Sequence, residues 1–308
     1  MEIFSAYLTI IIGVLPSMCA GILATFAITL IFKTSYTTNF AQGIISALGA
    51  YVAVELTLEH GLPLWGVAII GVVVAFGVGV LIDVCIFRQG KNVNALGKQI
   101  ITMGLISLFV GIIPFVFAVA SYESVPLQPF MPLTEQLVFG EGAKRVAIPY
   151  NTMIGVAITV VLMVLVFVLL HKSKWGLSVR ATASNEIVAG MMGVNTKVIT
   201  AISWGIAGAL GAVAAVIYVG NATFSSPLVM TSTQINAFLA GILGGFLTFH
   251  GPVVGAVIIY MLNALVGCIC VHVPELSMWK PVIVYGVVML LVLIKPQGLF
   301  GKKMVKKV

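Results

Sequence analysis

Lys172–Lys197 reads KSKWGLSVRATASNEIVAGMMGVNTK. It is a polar, charged stretch between two long apolar segments, 150–170 and 198–219, on the side of the chain that carries most lysines and arginines. Ser178 is placed to cap a short helix, since its hydroxyl can accept a free N–H of the first turn. Asn185 and Asn195 are placed to do the same for the helices that follow. Ile187, Met191 and Val194 recur at i, i+4 and i+7, which puts them on one helical face. Gly193 sits where a helix would stop in the left-handed conformation. The stretch therefore reads as one or two short amphipathic helices just outside a membrane. Two readings fit it: a docking element that receives force from another protein, and a capped, solvated loop.

The membrane follows from composition. Of 308 residues, 60% are hydrophobic and only 8% charged, with a mean hydropathy of +1.17. A soluble domain carries roughly 25% charge. The 32 glycines are spread through the apolar segments, a pattern that in lipid favours close helix–helix packing and argues against the short alternating strands of a barrel. The fold class expected is an all-α integral membrane protein, a polytopic bundle of about 8–10 transmembrane helices, broken or re-entrant helices among them. The whole chain, 1–308, reads as one transmembrane domain.

Nine apolar segments fall at 6–32, 40–58, 64–87, 99–120, 150–170, 198–219, 234–249, 252–272 and 281–294. The first is a retained span rather than a cleaved leader, and is long enough to be two pieces broken near Pro16. Segments 40–58 and 234–249 are short and carry Gln42, Glu55, Gln234 and Asn236, so they are the broken or re-entrant candidates. Thirteen of the 16 basic residues, from Lys33 through Arg88, Lys172 and Arg180 to the tail at Lys307, fall on one side. Lys144, Arg145 and Lys280 fall on the other. The positive-inside rule makes the first side, and with it the C-terminus, cytoplasmic. An external N-terminus agrees with an odd number of crossings. The longest external loop, 121–149, is proline-rich and acidic, and is either a landing surface or a stiffened connector. Asn39–Gly43 (NFAQG) and Asn236–Gly241 (NAFLAG) form a weak internal repeat of the kind seen where paired broken helices build a midplane site.

Uncharged polar residues inside the apolar segments are the substrate-path candidates: Asn39, Gln42, Thr102, Asn221, Gln234, Asn236 and Asn263. For each, a helix–helix hydrogen bond is the plainer alternative. Glu55 and Asp83 lie near span ends, and the four histidines at or near segment ends. Cys268 and Cys270 are too close in sequence for a disulfide framework. No phosphate loop, HExxH, Ser/His/Asp order or metal-ligand spacing occurs, so no catalytic residue and no metal site is expected.

Three stretches carry a family resemblance: Asn39–Tyr51 (NFAQGIISALGAY); Trp175–Asn195 with the Gly/Ala-rich Ile202–Val216; and Leu239–Gly255 (LAGILGGFLTFHGPVVG) with Leu291–Gly301 (LVLIKPQGLFG). The chain resembles the permease subunits of bacterial ABC importers of the branched-chain amino-acid (leucine/isoleucine/valine) type. The resemblance implies that 172–197 is the coupling loop seated in a groove of an ATPase. Gly176, Arg180, Ala181, Glu186, Ala189, Gly193 and Asn195 are the matching residues, in a looser pattern than the EAA-x3-G form of other importers. It also implies the partners: a second permease subunit, homologous or identical; two cytoplasmic ATPase subunits that hold the ATP and Mg this chain lacks; and an extracytoplasmic solute-binding protein. The location implied is the bacterial inner membrane. Sugar and nucleoside permeases share the central stretch and stay open as alternatives. So does an ion-coupled secondary transporter, although the sequence offers it only Glu55 and Asp83.

Overall fold

The computed structural model describes residues 2–90, 93–117, 135–140, 145–220 and 226–301. The chain runs α1 (Glu2–Ser35), α2 (Gln42–His60), α3 (Leu64–Ile82, extended by a π turn, Asp83–Phe87), α4 (Ala95–Val116), β1 (Gln136–Phe139), β2 (Val146–Pro149), α5 (Tyr150–Lys172), α6 (Lys174–Ser184), α7 (Glu186–Met191), α8 (Thr196–Val219), α9 (Thr231–Gly244), α10 (His250–His272), a 3-10 turn (Pro274–Trp279) and α11 (Lys280–Ile294). Seven of these helices are long and apolar enough to cross a membrane. This is an all-α multi-pass membrane protein. The helices outside the seven that coincide with apolar segments are α2 and α9, the two segments marked as broken or re-entrant.

The proposed break near Pro16 is absent: α1 is one helix from Glu2 to Ser35. A mid-helix proline removes one N–H, but in lipid the flanking backbone has no means of pairing other than staying helical.

Contacts along the helices reveal an inverted repeat. Tyr7 meets His272, Gly21 meets Tyr260 and Phe26 meets Phe249, so α10 runs antiparallel to α1. Gly79 meets Trp204 and Ala75 meets Gly208, so α3 runs antiparallel to α8 in the same manner. Gln42 and Gly49 pack on Ala207 and Ala212, so α2 runs parallel to α8. Ser17 and Phe32 lie beside Ser232 and Phe246, so α9 runs parallel to α1. Helices α1–α4 thus recur as α8–α11 in the opposite sense, and each repeat packs its second and third helices on the first helix of the other. The registers show that α2 starts halfway along α8, and α9 halfway along α1. Chain 36–41, non-helical throughout, leads into the former, and a turn at 227–230 leads into the latter. The NFAQG and NAFLAG matches do not superpose in this repeat: Asn39 precedes α2, whereas Asn236 lies within α9.

Helix α5 joins the repeats. It starts where Asn151 Nδ2 donates to Gly220 O, at 3.0 Å, and returns the chain to the end that holds Lys33, Arg88, Lys98 and Lys197. At the other end the antiparallel β1–β2 hairpin (Gln136 opposite Pro149) lies against Phe4 and Leu8 of α1. The rest of 121–149 lies outside the described residues, apart from Glu135, Gly140 and Arg145.

Small residues set the spacing of this core. A Cβ on Gly208 would strike the Ala75 carbonyl of α3, whereas a Cβ on Gly104 meets nothing within 4 Å. Backbone cannot yield as a flexible side chain would, and overpacking costs about 1–3 kcal/mol. Gly208→Ala is therefore expected to lower the thermal unfolding midpoint in detergent by several degrees, and Gly104→Ala to leave it unchanged. Equal midpoints would refute the close α3–α8 approach.

Candidate functional site

The 172–197 stretch folds at the basic end of the bundle. Ser173, not Ser178, caps α6: its Oγ accepts Gly176 N–H at 2.9 Å. Ser178 falls one turn inside and donates back to Lys174 O. The reason is that α6 begins directly after Lys172 with no intervening loop. Asn185 Oδ1 accepts from Ile187 and Val188 N–H, each at 3.1 Å, and Asn195 Oδ1 from Val198 N–H. Gly193 adopts φ +87°, the left-handed turn expected of it. That turn redirects the chain, so Val194 packs inward instead of continuing the Ile187–Met191 face.

The candidate coupling residues divide by position. A Cβ on Gly176 would strike the carbonyls of Leu169 and Leu170, so this glycine lets α6 fold against the end of α5. Ala189 is buried, Arg180 and Ala181 are half-buried, and Glu186, Gly193 and Asn195 are exposed. Beside the exposed ones is an apolar surface that no lipid-facing role explains. Leu177, Ile187, Met191 and Met192 are 62%, 72%, 80% and 80% exposed, among lysines and beyond the end of α5.

A cavity of about 260 Å³ lies under this stretch, lined by Ser35, Asp83, Arg88, Lys98, Glu186 and Lys197. Asp83, at the end of its span, is buried. It is paired with Arg88 at 3.5 Å, and Thr200 Oγ1 donates to it at 3.4 Å. Arg88 in turn donates to Lys197 O at 2.8 Å, which ties the end of α3 to the start of α8.

The seven path candidates separate into two groups and one residue outside the described chain, Asn221. Four of them fasten the mid-depth starts of α2 and α9. Asn39 Oδ1 accepts Ala41 N–H at 3.0 Å, and its Nδ2 donates to Gln42 Oε1 at 3.1 Å. Gln42 Nε2 donates to Ala207 O of α8 at 2.9 Å. Thr102 Oγ1 accepts Phe40 N–H at 3.2 Å. Gln234 of α9 spans the junction: its Oε1 accepts Gly43 N–H and its Nε2 donates to Phe40 O, both at 2.5 Å. Gln42 and Gln234 thus bond between helices, Thr102 holds the turn before α2 at Phe40, and Asn39 bonds within that turn.

Asn236 and Asn263 instead line a second cavity of about 230 Å³, in the half of the bundle away from the basic end. Ser17, Tyr218, Thr233, Tyr260 and Lys280 share its wall. Sequence reasoning passed over all five. The available signal was Lys280, one of three basic residues off the main charged side.

A multi-pass α-helical bundle with two mid-depth helix starts, a polar cavity in each half and exposed apolar side chains beyond one end has the architecture of a membrane transport permease. The sequence pattern of the branched-chain amino acid transport system permease component matches residues 4–293, and the chain belongs to that family. It is 25% identical over 289 residues to the high-affinity branched-chain amino acid transport system permease protein BraD of Pseudomonas aeruginosa, covering 91% of each chain. It is 25% identical to the probable branched-chain amino acid transport permease protein LivH of Methanocaldococcus jannaschii, covering 91% of this chain and 88% of that one. A more distant likeness, 26% identity over 76% of this chain and 64% of the relative, is to the fructose import permease protein FruF of Bifidobacterium longum. No solved structure matches the chain.

The junction at Gln234 is directly testable. A Cβ on Gly43 would lie 2.5 Å from Gln234 Oε1. Gly43→Ala and Gln234→Leu therefore disrupt one set of bonds, each orphaning buried groups at about 1–3 kcal/mol. Thermal unfolding of both single variants and the double variant is expected to be non-additive by at least about 0.5 kcal/mol. Strict additivity would sink the junction.

Proposed function

We propose that this chain is a permease subunit of a bacterial inner-membrane ABC importer that carries branched-chain or related amino acids. In this reading a second permease subunit, homologous or identical, completes the path. Two cytoplasmic ATPase subunits hold ATP and Mg and act through 172–197, and an extracytoplasmic binding protein delivers the solute. The permease itself catalyses no reaction, and its basic end and C-terminus face the cytoplasm.

The exposed face of Leu177, Ile187, Met191 and Met192 carries the reading. Apolar side chains in water outside lipid favour burial in a partner's groove; Ile187 and Met191 lie one turn apart on the capped helix α7, with Met192 just beyond it and Leu177 on α6, which suits the helix-in-groove mode of recognition. Asn185 and Asn195 hold the face rigid, and Gly176 ties it to α5, so a push on α7 reaches the bundle instead of being lost in a loop. ATP has its effect on the path only through such a contact, because an equilibrium between two access states shifts only by differential binding to them. The amino-acid substrate rests on the relatives' names; the likeness to a fructose permease is the observation that keeps a sugar as the second reading.

The test is the complex co-expressed with its ATPase and binding-protein partners and reconstituted in liposomes. Ile187→Asp with Met191→Asp is expected to reduce co-purification of the ATPase and to cut ATP-driven leucine uptake at least about tenfold, the equivalent of ~1.4 kcal/mol. The permease's own thermal midpoint should be unchanged, since both side chains are exposed. Undiminished uptake would overturn the coupling role. Uptake of fructose without leucine would replace the substrate.

A further inference from the structure

The two polar cavities lie in opposite halves of the bundle and differ in their acidic lining. The cavity at the basic end lies among the start of α8, the end of α3 and the start of α4. The other lies among α1, the second half of α10 and the start of α11, with the first turns of α9 on a further wall. In the first, Asp83 and Glu186 stand among Arg88, Lys98 and Lys197, so its cations have carboxylates beside them, Arg88 pairing with Asp83. The second has no acidic lining residue. Lys280 is its sole charged wall residue, and no carboxylate among the described residues lies in ion-pair range of it.

We infer that this cavity is a recognition site for the carboxylate of the transported solute, with Lys280 as the counter-ion, an inference that rests on the amino-acid reading above. Lys280 is the first residue of α11 and is half-buried. Its Nζ lies 3.4 Å from where a Cβ of Gly267 would be, so the missing side chain in α10 leaves room for the ammonium to lie over that helix. Ser232 and Thr233 stand in the first turn of α9, where backbone N–H groups have no helical carbonyl ahead of them and the helix dipole adds positive potential. Asn236 Oδ1, which accepts Tyr285 O–H at 3.1 Å, and the Asn263 amide offer neutral hydrogen-bonding partners for an α-amino group. The apolar side of the wall is Gly13 and Val14. At ~30 Å³ per water, the cavity holds about seven or eight, comparable to a solute of that many heavy atoms. An ammonium held in a partly desolvated site without an internal partner favours an anionic one, and a neutral sugar leaves it unpaired.

The experiment uses the whole reconstituted complex and follows uptake of L-leucine, with L-leucinamide, which lacks the carboxylate, as competitor. Lys280→Met is expected to raise the apparent KM for leucine about tenfold. Lys280→Arg, which keeps the charge, should stay within about threefold of the parent. L-leucinamide should compete poorly in the parent complex, and no better than leucine itself in Lys280→Met. Should Lys280→Met fail to assemble, Asn263→Leu, which fills the same cavity, is expected to raise KM comparably. Unchanged KM in both variants would overturn the site and leave the amino-acid reading standing. Absence of leucine uptake by the parent complex, with sugar uptake in its place, would overturn both.

Discussion

Two helices of this protein begin in the middle of the bundle, and a helix start leaves backbone N–H groups with no partner of their own. Away from water each one left open costs several kcal/mol. Gln234, reaching across from α9, closes the start of α2, accepting from Gly43 and donating to Phe40, while Asn39, Gln42 and Thr102 secure the incoming chain. The remaining architecture follows from that closure. Once α2 and α9 are joined there, α3 and α10 are carried back along α8 and α1, and the ends of the bundle become the two places where polar cavities can open.

The same closure explains why much of the candidate path was legible in kind but not in role. Apolar length located every crossing helix, and the polar interruptions at Gln42 and Gln234 marked the two segments that begin part-way. Asn185, Asn195 and Gly193 were read correctly because a cap or a left-handed turn is a local event settled within four residues. The use to which Gln42 or Asn39 is put depends on Ala207 or on a neighbouring helix start, which no spacing reveals. The burial of Asp83 is hidden from sequence for the same reason: its partners Arg88 and Thr200 come together only when α3 meets α8. Ser178 was misjudged because the end of α5 could not be placed to within one turn.

The long helices also connect the two ends. Helix α1 contributes Ser17 to one cavity and Ser35 to the vicinity of the other. These residues are 18 apart along a continuous helix, or roughly 27 Å at 1.5 Å per residue. Pro16, beside the first of them, takes one N–H out of the ladder without ending the helix. A rigid rod of this kind transmits displacement, and the π turn at Asp83–Phe87 places a wider coil where α3 meets the 172–197 stretch.

The crosswise packing of the repeats has a bearing on biogenesis. Helices α2 and α3 rest on α8, which lies more than a hundred residues downstream. A nascent polypeptide that has emerged only through α5 therefore holds glycine-faced surfaces, at Gly49 and Gly79, whose docking partners Ala212 and Trp204 are not yet made. The packing of the N-terminal half is completed only when α8 has been synthesised.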